Sequence, residues 1–412
     1  MSAPDRLLPN GVCGAHLSDL VLTGISRLVT NGGPAVDRAS VAIRNSQVAW
    51  AGTEADLPAE FAGTESLDCG GRAVIPGFVD SHTHLAFAGD RGDEFAQRLA
   101  GADYEELLAA GGGIQSTVRA TRAAGQETLT ASTTGRLLRM AGYGTTTVEV
   151  KSGYGLEAET EVRQLEAARA AGAAAGIDVI STFLGAHVVP FDRLGDRGAY
   201  VDDVAGPMLA ACAPLATFCD VFCDQGAFTV EEARTVLASA RRIGLRPRLH
   251  ANQLGPTGGV ELALEVGAAS ADHLDHLDDD QVGALAASDT VAVLLPGVSL
   301  SMRLPQPRGR DLWRAGATVA LATDCNPGTS YVENMQLIVA LAVLEMGLTV
   351  DQAIWSATKG GALALELEDR GWVGPGAAAD LLILDASSES HLAYRPGTNL
   401  AWKVIKSGRV LG

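Results

Sequence analysis

The chain has 412 residues, 47% hydrophobic and 5% aromatic, enough for one large core with a smaller unit attached. Forty-nine acidic residues against 31 basic give a formal charge of −18, and no Lys/Arg cluster offsets it, so nucleic acid and anionic membrane surfaces are excluded as partners. The start of the chain lacks the basic region and apolar core of a secretory signal, apolar runs such as LIVALAVL (337–344) are far shorter than a bilayer span, and the six cysteines form no C-x-x-C pair; a cytoplasmic protein with reduced thiols is predicted.

In chain order, residues 18–72 hold short alternating segments (LVLTGIS, SVAIRNSQVAWAG) broken by Gly, Asn and Asp, which predict that 1–72 supplies part of a small β unit. Eight β-rich segments follow, at 73–84, 145–152, 178–187, 216–225, 246–253, 269–276, 290–297 and 318–325. Helix-like stretches separate them, among them TVEEARTVLASARRIG, where Thr229 is a predicted N-cap and Glu232 completes a capping box. Strand and helix alternate throughout 73–370, so a parallel sheet of βα units follows. Eight units predict a closed (β/α)8 TIM barrel, and residues 371–412 (GWVGPGAAADLLILDASS, AWKVIKSGRVLG) return to alternating strands that complete a small β-sandwich with the N-terminal segment.

The polar residues of the barrel segments cluster at their C-terminal ends: His82 and His84, His187, His250, His273 and Asp324. A closed barrel gathers those ends at one face, where such folds carry their chemistry. Strand alternation turns Asp80, His82 and His84 to one side of a buried element, and a bound cation would satisfy them. Three imidazoles, from His82, His84 and His250, with the Asp324 carboxylate suit one zinc or iron ion with a position left for water. Cys325 has the opposite parity to Asp324 and is expected to turn away, and Glu149 and Lys151 share a strand face and are expected to neutralise each other. GGG at 111–113 lacks the G-K-[ST] of a phosphate loop and reads as a hinge in the long loop that starts at Arg91.

VIPGFVDSHTHL, the late T-D-C-N-P-G-T and the closing G-P-G-A-A-A-D-L-L-I-L resemble the amidohydrolase superfamily of barrel metalloenzymes. More narrowly, FAGDRGDEFAQRLAG followed by GGGI, the VKSGYGL segment, FLGAH and DCNPGTS resemble the imidazolonepropionase family of histidine degradation, over nearly the whole chain. That resemblance implies hydrolysis of 4-imidazolone-5-propanoate to N-formimino-L-glutamate by a metal-activated water. In such a reaction Asp324 can carry the proton to the leaving nitrogen, and His273 can polarise the carbonyl or stabilise its oxyanion. The alternative for His273 is a partner of Asp272 or a core histidine, and His276 is expected at the surface. The propanoate needs a cation, which Arg91 can supply. By resemblance, Tyr154, His187 and Gln253 contact the ring or its substituent, while Asn326, Gly328 and Thr329 line the pocket.

Two departures sharpen the implication. Relatives with two metals carry a bridging lysine on the fourth strand, where this chain ends in CDQG, so one metal per subunit is expected. Deaminases of the superfamily place a glutamate three residues after the fifth-strand histidine; here the run is HANQ, and a glutamine cannot shuttle a proton. A deaminase or hydantoinase-like hydrolase, or a non-catalytic homologue that binds a small acidic metabolite, remain the alternatives. A symmetric homodimer is the expected assembly.

Overall fold

The computed structural model describes residues 19–101 and 112–411; Gly111, first of the three glycines read as a hinge, lies outside them. Among the described residues the strands form two sheets. One is the eight-stranded parallel sheet of β5 (Phe78–Asp80), β6 (Thr145–Lys151), β7 (Asp178–Ala186), β8 (Phe218–Cys223), β9 (Arg246–Ala251), β10 (Ser270–His273), β11 (Val291–Leu294) and β12 (Val319–Leu321), paired in chain order. Every residue of the β-branched run TTTVEVK in β6 is buried, as expected of a strand covered on both faces. The helices between are locally specified: Val230–Arg242 opens with the Thr229–Glu232 capping box, and Ala158–Ala175 ends at Gly176 in the left-handed conformation.

The ring closes between its first and last strands just beyond their ends. Thr83 bridges Cys325, the His84 N–H donates to Cys325 O and the Asp324 N–H to His82 O, both at 3.0 Å. Deeper in the seam the Asp80 carboxylate accepts from the Thr323 hydroxyl at 2.7 Å and from its N–H at 3.1 Å. The residues singled out on the first and eighth strands are therefore brought together by barrel closure itself.

The second sheet has seven strands: β1 (Leu20–Leu28), β2 (Val36–Arg44), β3 (Gln47–Thr53), β4 (Glu65–Pro76), β13 (Leu381–Leu384), β14 (Ala401–Lys406) and β15 (Arg409–Leu411). Its order, β15-β14-β13-β4-β1-β2-β3, places β4 beside β13, so the two ends of the chain form one unit. The expected sandwich is made by one hydrogen-bonded sheet folding over: Gly408, after β14, meets Ile43 of β2, and Gln47 bridges Ala378. A single apolar cluster lies inside, with Leu22, Val41 and Ile43 from one half and Leu381, Ile383 and Ile405 from the other.

The segment 73–84, expected as one strand, is divided at Gly77: residues up to Pro76 finish β4, and Phe78 begins β5. The Gly77 N–H donates to Asp380 O, and a Cβ there would lie 2.5 Å from the Thr146 side chain, so only glycine fits the crossing. No helix of the described residues is long and apolar enough to cross a membrane.

Candidate active site

His82 and His84 follow β5, His250 lies near the end of β9 and Asp324 follows β12, and the fold brings all four side chains to one buried point. His84 Nε2 lies 3.4 Å from Asp324 Oδ1 and 3.4 Å from His250 Nε2, and His82 Nε2 lies 3.6 Å from Asp324 Oδ1. The donor atoms of His82, His84 and Asp324 all lie within 4.8 Å of one another, as do those of His82, His250 and His273.

The remaining ring nitrogens decide what these donors offer. His82 Nδ1 donates to Asp272 Oδ2 at 2.6 Å, and His250 Nδ1 donates to Asp220 Oδ1 at 3.0 Å. A carboxylate only accepts, so each imidazole carries its proton on Nδ1 and turns the Nε2 lone pair inward. His82 Nε2 and Asp324 Oδ1 are buried with no hydrogen-bond partner. Burial holds the His82 and His84 imidazoles well below their usual range and pushes the Asp324 carboxyl up to about 7. Imidazole nitrogens and a carboxylate oxygen converging at one buried point fit a divalent metal ion.

Beneath the histidines lies a buried network of charge. Lys151 Nζ is 2.7 Å from both Glu149 Oε1 and Asp220 Oδ2, and Arg248 Nη2 donates to Asp272 Oδ2 at 3.1 Å and to Ser81 O at 2.7 Å. All five side chains are fully buried. Burial opposes the Lys151 charge, but Asp220 and Glu149 outweigh it and hold its pKa above the ordinary value. His82, Asp220 and Asp272 also lie close enough to hold an ion, but two cations already face these carboxylates, Lys151 on Asp220 and Arg248 on Asp272. The pairing of Lys151 with Glu149 agrees with their shared strand face.

His273 reaches the same centre by a break in alternation. Asp272 already faces inward, so a regular strand would send His273 outward; its φ of 78° turns the ring back to 5.2 Å from the His250 ring and 5.5 Å from that of His82. Asp324 also has positive φ, 48°. Left-handed backbone at two non-glycine residues costs on the order of 1–3 kcal/mol each, and strain of this kind gathers at functional sites.

Around the mouth, His187 stacks on His84 with ring centroids 5.1 Å apart, and Tyr154 stands 5.3 Å from His187 and 5.9 Å from His84. Burial lowers the His187 imidazole to about 3. Arg91 lies at the rim, its Nε and Nη2 on Glu94 and its Nη1 against Gly328, where a Cβ would lie only 2.5 Å away. Asn326 commits its amide to its own loop: Oδ1 accepts from the N–H groups of Gly328 and Thr329, both at 2.8 Å, and Nδ2 donates to Asp324 O and to Thr329 Oγ1. Gln253 is half-buried, and its N–H donates to Asp224 Oδ2 at 2.7 Å. Cys325 is turned into the apolar layer with Leu85 and Leu137, and His276 is exposed.

Sequence reasoning missed Asp220 and Arg248. Both lie on inward parity, Arg248 two residues before His250 and Asp220 opposite Arg248 in the β8–β9 ladder, and that spacing is the signal that could have found them.

A model of the amidohydrolase family matches residues 73–411, and the chain belongs to that family. Two proteins named imidazolonepropionase are among its relatives. That of Streptomyces griseus is 50% identical over 401 residues, covering 95% of this chain and 99% of its own length. That of Mycolicibacterium smegmatis is 48% identical over 403 residues, covering 96% and 98%. Within the amidohydrolases the chain belongs with the imidazolonepropionases. Among solved structures, atrazine chlorohydrolase from Arthrobacter aurescens complexed with zinc has a TM-score of 0.74 at 17% identity, covering 95% of both chains. An adenosine deaminase from Xanthomonas campestris with bound zinc has a TM-score of 0.71 at 20% identity, covering 95% of this chain and 92% of its own. These two share the fold.

Proposed function

We propose that the chain hydrolyses 4-imidazolone-5-propanoate to N-formimino-L-glutamate, with His82, His84, His250 and Asp324 holding one zinc or iron ion. The observation that carries this is the convergence of three inward Nε2 atoms and an unpartnered Asp324 oxygen at the barrel mouth, in a member of this family. A bound ion supplies a water made acidic enough to react near neutral pH and a pull on the carbonyl oxygen. Water adds its oxygen to the ring carbonyl carbon, the C–N bond breaks, and the leaving nitrogen takes a proton. Asp324 accepts that proton from the water and returns it to the nitrogen. His273 donates a hydrogen bond to the oxygen that gains charge. Arg91, its other edge held by Glu94, turns Nη1 to the propanoate. Tyr154, His187 and Gln253 enclose the ring, and the loop of Asn326, Gly328 and Thr329 forms the opposite wall. Lys151 occupies the position between the inner carboxylates, which supports a single ion. A cytoplasmic homodimer completes the reading, and sedimentation would test its assembly state.

The experiment is removal and return of metal with the product weighed. Exhaustive chelation should abolish turnover of fresh imidazolone propanoate, and one equivalent of zinc or iron should restore it, with product heavier than substrate by one water. Ammonia release, or full activity in metal-free protein, would overturn the proposal.

A further inference from the structure

Tyr154 sits in the loop Gly153–Leu156, which leaves β6 and enters the helix Ala158–Ala175. Gly153 has φ 105° and Leu156 φ 55°, so the loop takes a path a free chain rarely visits. Its backbone polar groups are held from both sides. The N–H groups of Gly153, Gly155 and Leu156 donate to the Glu161 carboxylate at 2.9, 2.8 and 2.7 Å, using both oxygens, and the Tyr154 N–H donates to Gln164 Oε1 at 3.3 Å. On the other side Arg122 donates to Gly155 O at 2.7 Å and to Leu156 O at 3.3 Å. His187 Nδ1 donates to Gly153 O at 2.9 Å. Glu161 is fully buried, and the loop packs on its helix so closely that a Cβ at Gly155 would lie 2.7 Å from Glu161 N.

We propose that Glu161 is a positioning residue for substrate binding: its carboxylate, with Arg122 on the carbonyl side, fixes the loop so that the Tyr154 ring stands beside His84 and His187. This rests on the reading that Tyr154 contacts the substrate. A carboxylate is required because three N–H groups point at two oxygens; a glutamine has one carbonyl oxygen, and its NH2 would oppose at least one of those donors. Glu161 itself touches no reacting atom, so its loss should act on affinity and leave chemistry and metal alone.

The test is a double-variant cycle of E161Q, Y154A and E161Q/Y154A, with kcat, KM, bound metal and amide hydrogen exchange of residues 153–156 measured on each. E161Q should raise KM about tenfold with kcat within about threefold, keep one equivalent of metal and speed exchange in the loop. On the Y154A background the same substitution should add less than about twofold. A wild-type KM in E161Q, or a penalty that persists in full without Tyr154, would overturn the positioning role. A wild-type KM in Y154A alone would instead remove the substrate contact assigned to Tyr154 and the proposal with it. If E161Q fails to fold, R122Q, whose parent side chain is 25% exposed, should show the same split, and an unchanged KM there would overturn the proposal equally.

Discussion

Asp272→Asn tests how the site is held. Asp272 Oδ2 accepts from His82 Nδ1 at 2.6 Å and from Arg248 Nη2 at 3.1 Å, and Lys151 Nζ lies 3.8 Å away. Asparagine keeps the shape and one accepting oxygen, so what is lost is charge: Lys151 and Arg248 then face two carboxylates, Glu149 and Asp220. Folding should survive. His82, however, becomes a weaker donor to the ion, and substitutions at such outer partners cost about 10–100-fold in metal affinity, or ~1.4–2.7 kcal/mol. Asp272→Ala should differ in kind, because it strands the buried Arg248 and costs about 3–5 kcal/mol of folding stability. Competition of metal-free protein against a chromogenic chelator, with urea unfolding run in parallel, separates the two effects. Metal affinity in D272N equal to that of wild type, or no weaker than in a surface control such as Asp280→Asn, would refute the argument that Asp272 orients His82.

His273→Ala should lower kcat by about 10²–10³-fold, as expected for an oxyanion donor, while elemental analysis still finds one ion per chain; loss of the ion would make His273 a ligand instead. Glu232→Gln, which can still complete the capping box, should cost about 0.5–1 kcal/mol at pH 7 by removing the charge that pairs with Arg197, measured by urea unfolding. The hydrogen bond from Arg197 depresses the Glu232 carboxyl to about 2, so its stabilisation is present above the unfolded value of 4.5 and fades as pH falls through about 2. The gap between wild type and E232Q should therefore narrow below pH 4.5, and a gap independent of pH would contradict the pairing.

The barrel was legible because β-rich segments such as TTTVEVK, buried at every residue, alternate with helix-like stretches, and because His and Asp residues fall at the C-terminal end of several of those segments. His82, His84, His250 and Asp324 fall at those ends, and closure of the ring brings them together. What was not legible depends on geometry that alternation does not encode. Asp272 and His273 are neighbours that period-two logic assigns to opposite faces, and only the left-handed φ of His273 brings both to the centre. Asp220 lies mid-strand in FCDVFC, where a charge ordinarily signals solvent; closure of the ring makes that side an interior where Lys151 can meet it. Glu161 lies on a helix that reads as ordinary amphipathic surface until the loop before it folds back over its carboxylate. The division at Gly77 had a signal in the Pro76-Gly77 dipeptide, which marks a turn, but the apolar residues on either side of it, AVI and FV, read together as one strand.

The pairing of β4 with β13 has a consequence for biosynthesis. Ile75 lies opposite Leu382, and the chain passes from that ladder through Gly77 directly into β5. A nascent polypeptide must therefore hold the unpaired edge of β4 in waiting while the whole cylinder is translated, and the contact that joins beginning to end is made last. The small sheet therefore cannot be completed before the barrel has been translated, and the exposed β4 edge marks the interval in which a growing chain is most open to self-association or chaperone capture.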